Sequence, residues 1–112
     1  MSYDLINELL YKTKELNNLV DDSTMKGLEL AKAERLYRVS LAIKLSELKA
    51  QGTAATLCSD LGRGDEKIAL LKEERDKAEA WYRGSLEHIM ASKLEVKILE
   101  NQISREWGDK NE

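Results

Sequence analysis

The sequence predicts an all-α fold, a long antiparallel helical hairpin with coiled-coil-like packing, and three observations predict it. The 112-residue chain has no Pro and no Phe and is rich in Ala, Leu, Glu and Lys, residues that favour helix over strand. Apolar residues recur at spacings of three and four along most of its length, the mark of one face of a helix. A single glycine-rich interruption, from Gly52 to Gly64, separates two copies of one phrase: Lys32-Ala33-Glu34-Arg35-Leu36-Tyr37-Arg38-Val39-Ser40-Leu41 and Lys77-Ala78-Glu79-Ala80-Trp81-Tyr82-Arg83-Gly84-Ser85-Leu86. Seven of the ten positions are identical, and the midpoint between Tyr37 and Tyr82 falls between Ser59 and Asp60. Folding back there sets the copies side by side, with Tyr37 and Tyr82 at one level and Leu36 and Trp81 beside them in a packing node.

The first element, a helix or arm over residues 1–22, rests on Leu5, Ile6, Leu9, Leu10, Leu16, Leu19 and Val20, which draw one apolar stripe. Asn17-Asn18 and Asp21-Asp22-Ser23-Thr24 predict a kink or short break near 17–24, because their side chains compete for backbone hydrogen bonds. Gly27 softens the same region. With no Pro, an unbroken helix from about residue 3 to 51 is the alternative. The pattern resumes over 25–51 with a wide apolar arc, so this segment touches more than one neighbour. Lys49 and Gly52 mark its end.

Residues 53–61 are too apolar for a bare loop. They predict a short helical turn capped by Thr53 and stopped by Gly62, with Leu57 and Leu61 closing the end of the core. The last helix spans 65–106, with Asp65 and Glu66 at the positive end of its dipole. Its alternation of three and four reads Ile68, Leu71, Arg75, Ala78, Tyr82, Ser85, Ile89, Ser92, Val96, Leu99, Ile103 and Glu106, a seam of coiled-coil type. At 1.5 Å per residue these 42 residues make a rod of about 60 Å, so a partner must lie along it. Residues 108–112 form a frayed polar tail.

A chain this small buries little surface, and the seam therefore predicts self-association, two hairpins pairing as a dimeric four-helix bundle. The candidate packing and oligomer residues are Tyr37, Leu41, Ile68, Leu71, Tyr82, Ile89, Val96, Leu99 and Ile103. Arg63, in Gly62-Arg63-Gly64 before a helix start, and Trp107, an aromatic with no evident partner in the chain, are the candidate partner contacts.

No catalytic constellation emerges. With one His and one Cys, neither a zinc cluster nor a repeated Cys-His pair is available, and no Glu-x-x-His occurs for a di-iron bundle. His88 decorates the long helix, Cys58 is a small core residue, and Ser40 and Ser85 are small packing residues. Carboxylate pairs such as Glu73-Glu74 lie on solvated faces. The reading is non-enzymatic, with no cofactor and no metal. Residues 1–51 carry 8 acids and 8 bases, and residues 52–112 carry 13 and 10, so the net charge of −3 lies in the second part. That balance argues against a continuous basic face for nucleic acid. Nothing resembles a membrane span or a signal peptide, which predicts a cytosolic protein.

From Glu34 to Arg38 through Asp60 to Gly64, then Arg75 to Glu79 and on to Gln102 to Gly108, about two-thirds of the chain resembles small helical proteins of tailed phages and prophages of Gram-positive bacteria. Residues 1–25 lie outside the resemblance. It implies a phage or prophage origin, a bacterial host cytosol and a place near replication and recombination genes, and it supplies no catalytic residue. The expected function is a helical interaction or accessory protein of phage DNA metabolism. The alternatives are an inhibitor of a host DNA-processing or defence protein, with the acidic C-terminal rod as decoy, a weak nucleic-acid binder acting through Arg63, Lys67 and the neighbouring bases of a dimer, and a virion-associated structural protein.

Overall fold

The computed structural model describes the backbone of residues 2–111 and the side chains of residues 3–108. Among the described residues there are three helices and no strand: α1 over Ser2–Ala50, α2 over Ala55–Gly64 and α3 over Glu66–Asn111. The fold is an all-α helical hairpin. None of these helices is long and apolar enough to cross a membrane.

The break expected near 17–24 does not occur, and α1 is continuous through it. The hydroxyls in that stretch turn back onto their own helix: Ser23 Oγ donates to the Val20 carbonyl at 2.8 Å and Thr24 Oγ1 to the same carbonyl at 3.2 Å. Side chains bonded this way do not cap, and without Pro every N–H of the segment stays available to the helix.

At the other end of α1, Gly52 takes φ 84°. Its N–H donates to the Lys49 carbonyl and that of Thr53 to the Leu48 carbonyl, each at 3.1 Å. This paired closure of a helix end requires a left-handed residue, which glycine supplies without steric cost.

The short helix differs from expectation. Its N-cap is Ala54, with no side-chain cap, and it runs through Gly62 to Gly64. Thr53 serves instead through its carbonyl, which accepts the Cys58 Sγ–H at 3.6 Å. Leu57 and Leu61 do not close the core; each is more than half exposed. Gly62 and Cys58 are the residues that turn inward. Gly62 is buried so closely that a Cβ there would stand 2.8 Å from Leu45 Cδ2 and 3.5 Å from Leu41 Cδ1. Glycine is thus needed for close helix approach rather than to stop α2.

Asp65 lies between helices with ψ 132°. Its Oδ1 accepts the Ile68 N–H at 3.1 Å, so it caps α3, which starts at Glu66 and continues past the expected end at 106 to Asn111. Of the predicted frayed tail, 108–111 is helical and Glu112 lies outside the described residues.

The chain divides into two compact units, Met1–Met25 with Arg83–Glu112 and Lys26–Tyr82. In the first, the terminal unit, Ile89, Leu99, Ser23, Ser85 and Ser92 are buried, and Lys12 Nζ reaches Glu95 Oε2 at 2.8 Å. In the second, the turn unit, Ile68 is buried, with Tyr37, Leu41, Leu71, Ala78 and Tyr82 half-buried.

The turn unit also fixes the register. Glu34 pairs with Arg75 and Lys44 with Asp65, and the Tyr82 ring lies over Gly27, where a Cβ would be 3.2 Å from Cε1. In each pair the residue numbers add to 109, so the hairpin axis falls between Ala54 and Ala55. Tyr82 is therefore level with Gly27 and Tyr37 with Lys72, not with one another. The expected node is absent, with Leu36 and Trp81 on the outside at 40% and 62% exposure. The cause is α2, which takes up the first ten residues of the returning limb.

Among the described residues, Ser92 Oγ is the buried side-chain polar atom without a hydrogen-bond partner. A hydroxyl in that position costs desolvation without return, so Ser92→Ala is expected to raise stability by about 1 kcal/mol. Ile89→Ala, which empties a buried seam position, is expected to lower it by about 2–3 kcal/mol. Urea unfolding at one fixed protein concentration measures both, and a loss of stability in Ser92→Ala would contradict the first.

Candidate functional site

The turn unit carries a groove of about 510 Å³ on one flank of the α1–α3 seam. Helical spacing builds its α1 side. Glu34, Tyr37, Leu41 and Leu45 fall at successive intervals of three or four, with Arg38 beside them. Lys72 and Arg75 come from α3 and Arg63 from the last turn of α2. Tyr37, Leu41 and Leu45 supply the apolar part of the lining.

The charges form one network. Arg38 Nε donates to Glu34 Oε1 at 2.6 Å, and Arg75 Nε donates to the other oxygen of the same carboxylate. Arg75 Nη1 also donates to Glu79 Oε2 at 2.6 Å and to Asp76 Oδ1 at 3.1 Å, while Lys72 Nζ holds Asp76 Oδ2 at 2.9 Å. Three cations, Arg38, Lys72 and Arg75, thus meet three acids, Glu34, Asp76 and Glu79. Arg63, exposed on the rim, has no ion pair among the described residues. Glu34 is held below its ordinary value of 4.5 by the Arg38 hydrogen bond and then by that of Arg75. Asp76 lies below 3.8 through Lys72 first and Arg75 second, and the guanidinium of Arg75 is raised, chiefly by Glu34. The network ties α1 to α3 and neutralises itself. Outside the network, the Arg63 guanidinium stands near the apolar part of the lining, a group able to hold a carboxylate by paired hydrogen bonds.

The opposite flank has a smaller groove, of about 280 Å³, lined by Ser40, Ile43, Glu47, Lys67 and the pair of Lys44 with Asp65. Asp65 lies below 3.8, first because it accepts the Ile68 N–H and then because of Lys44. A third concavity, between α1 and α2, is lined by Leu45, Lys49, Thr53 and Cys58, and it places the lone cysteine half-buried beside apolar groups.

Of the residues singled out in the sequence, Tyr37, Leu41 and Arg63 meet in the first groove. Tyr82 packs on Gly27. Ile68, Ile89 and Leu99 are buried, and Leu71, Val96 and Ile103 half-buried. Trp107 is 49% exposed but has an interaction of its own, which corrects the expectation of an aromatic without a partner. His88 is exposed. No group of three His, Cys, Asp or Glu side chains able to hold a metal occurs among the described residues. Sequence reading missed the Glu34–Arg75 pair, whose members are 41 residues apart. The available signal was Arg75 itself, a charge among the apolar seam residues Ile68, Leu71 and Ala78, which calls for an acid from the facing helix. Neither the family models, nor the curated proteins, nor the solved structures compared with the chain match it.

A carboxylate with a depressed folded-state pKa contributes stability that is fully present above its unfolded value and lost as pH falls through the folded one. Glu34, Asp65 and Asp76 all have that sign. The melting temperature is expected to be level between pH 6 and 7 and to fall below about pH 4.5. Glu34→Gln with Asp65→Asn should flatten that fall, as followed by circular dichroism. An unchanged acid limb in the double variant would show that these carboxylates do not carry it.

Proposed function

We propose that the protein is a non-enzymatic, self-associating helical interaction protein, two hairpins pairing as a four-helix bundle, which serves as an accessory module of phage DNA replication or recombination. The observation that carries the first part is the balance of apolar side chains. Among the described residues, three hydrophobic side chains are buried while eighteen large ones are exposed. The accessible surface is 8466 Å², against about 6,300 Å² for a compact monomer of this mass. The surplus of roughly 2,200 Å² exceeds the ~800 Å² that each partner of a standard interface buries. The phage assignment and its bacterial cytosolic setting rest on the resemblance carried by residues 34–38, 60–64, 75–79 and 102–108.

Arg63 favours a second reading, a weak nucleic-acid contact, because it is the groove cation left without an ion pair. The neutral network beside it supplies no further positive charge, and phosphate contacts gain affinity by number. The protein-partner reading therefore stands first.

Sedimentation equilibrium from 1 to 100 µM, a range set by the roughly micromolar affinity of modest interfaces, is expected to show a dimer. A monomer throughout would overturn the self-association. Affinity capture from the bacterial host is expected to return a protein of phage replication or recombination. Salt-sensitive capture of a host DNA-binding protein would favour the inhibitor reading instead. In low-salt gel shifts no retarded DNA is expected, and a shift abolished by Arg63→Ala would establish the second reading.

A further inference from the structure

The turn-unit groove of about 510 Å³ is rich in hydrogen-bond donors and poor in acceptors. Four cations line it, Arg38, Arg63, Lys72 and Arg75, against one acid, Glu34. Asp76 and Glu79, the other acids of the network, hold Lys72 and Arg75 without lining the groove themselves. Within the network the Arg38 side chain donates only through Nε, and that of Arg75 only through Nε and Nη1. Both terminal nitrogens of Arg38 and Nη2 of Arg75 therefore keep their hydrogens unused. The Arg63 side chain makes no hydrogen bond or ion pair among the described residues, and its whole fork of donors is open. Glu34 already accepts from two guanidinium groups, one on each oxygen. What the lining lacks is an acceptor.

The corner of the chain positions the open guanidinium. Gly62 lies so close to α1 that a Cβ there would stand 2.8 Å from Leu45 Cδ2. The next residue of α2 is Arg63, which shares the groove with Tyr37, Leu41 and Leu45. A guanidinium is more weakly hydrated than an ammonium and matches a carboxylate with two parallel hydrogen bonds. The charge balance narrows the ligand further. Arg38, Lys72 and Arg75 are offset by Glu34, Asp76 and Glu79, which leaves the single positive charge of Arg63 for a monoanion to balance. Outside the lining, Arg35 lies on the Arg38 side of α1 and Lys49 one turn beyond Leu45, while Asp60 precedes Arg63 on α2. These surroundings carry two bases against one acid, and they too favour an anion.

We infer that this groove docks an acidic residue of a protein partner, its carboxylate accepting from Arg63 and an apolar neighbour of that residue seated on Tyr37, Leu41 and Leu45. The inference rests on the reading of the chain as an interaction protein and names the group by which a partner is held. An aspartate or glutamate next to a leucine or an aromatic residue supplies both halves of the contact. The side chains already tied into the network hold the groove in shape before the partner arrives, so little ordering is left for binding to bring about.

Amide chemical-shift mapping on the full chain tests this, with a capped dipeptide of phenylalanine and glutamate as the probe. Shifts confined to the groove residues are expected, saturating with a dissociation constant of about 1–10 mM, the range open to a ligand this small. The glutamine counterpart of the probe keeps the apolar group and loses the charge, and it should bind about tenfold more weakly. Arg63→Ala, an exposed change that circular dichroism is expected to show as fully helical, should weaken the acidic probe by about the same factor. Equal binding of the two dipeptides, or a wild-type response from Arg63→Ala, would overturn the carboxylate contact. Shifts scattered along the chain, or none at about 20 mM probe, would remove the site altogether. Phenyl phosphate bound more tightly than the dipeptide would replace the acidic residue with a phosphorylated ligand. None of these readouts measures oligomeric state. A dimer that ignores the probe would overturn the groove alone, and a monomer that binds it would overturn self-association alone.

Discussion

A helix packed against a single partner buries only the line along which the two touch, and the rest of its circumference faces outward. In both units of this protein that line is narrow, and part of it is polar. Ser23, Ser85 and Ser92 occupy buried positions, and Lys12, Arg75 and Glu34 flank or enter the seam. Each small or charged residue on the line lets the helices come close or lock in register, and each reduces the apolar area removed from water. A seam of this composition specifies alignment better than it supplies stability. The larger share of the apolar side chains therefore lies outside the seam and is exposed.

The alignment comes from a few residues acting at fixed levels. Gly52 closes α1, Gly62 lets α2 lie against Leu41 and Leu45, and Asp65 ends one helix and caps the next. Below that corner, Lys44 holds Asp65, Arg75 holds Glu34, and the Tyr82 ring covers Gly27. A one-residue slip would turn Arg75 away from Glu34 and set a Cβ beneath Tyr82. Charge and shape therefore penalise the same error. The exposed members of the network add little individually, but two guanidinium groups sharing the two oxygens of Glu34 restrict its position more than either alone.

How much of this was legible depended on range. The alternation from Ile68 to Glu106 is a local property, and each of its positions is buried or half-buried in the structure. The closure at Gly52 was equally readable, because glycine one step past a helix end has a local cause. The break near 17–24 was misread because propensity weighs Asn, Asp and Ser singly, whereas Ser23 and Thr24 bond within a helix whose seam fixes it from both sides. The register was not legible at all. It depends on how many residues the corner consumes, and α2 consumes ten that a bare turn would not. The repeated phrase, read as two level copies, thus came apart in space. Its first copy supplies Glu34 and Arg38 to the groove, and its second supplies Glu79 to Arg75 and the Tyr82 ring to Gly27.

The corner also decides which side of the turn unit the chain itself covers. Because α2 folds back against Leu41 and Leu45, the flank of α1 bearing those residues is covered near the turn by the chain itself, and the groove beyond it is edged by a neutral ion network. The apolar arc of α1 is wider than one seam, so its remainder, Leu36, Val39 and Ile43, is left on the other flank. On α3, Leu70 is level with Val39 and Trp81 with Leu28, all four exposed. Glu34 with Arg75 and Gly27 under Tyr82 set these levels, so the contacts that align the chain with itself also decide which exposed apolar residues of the two helices stand side by side.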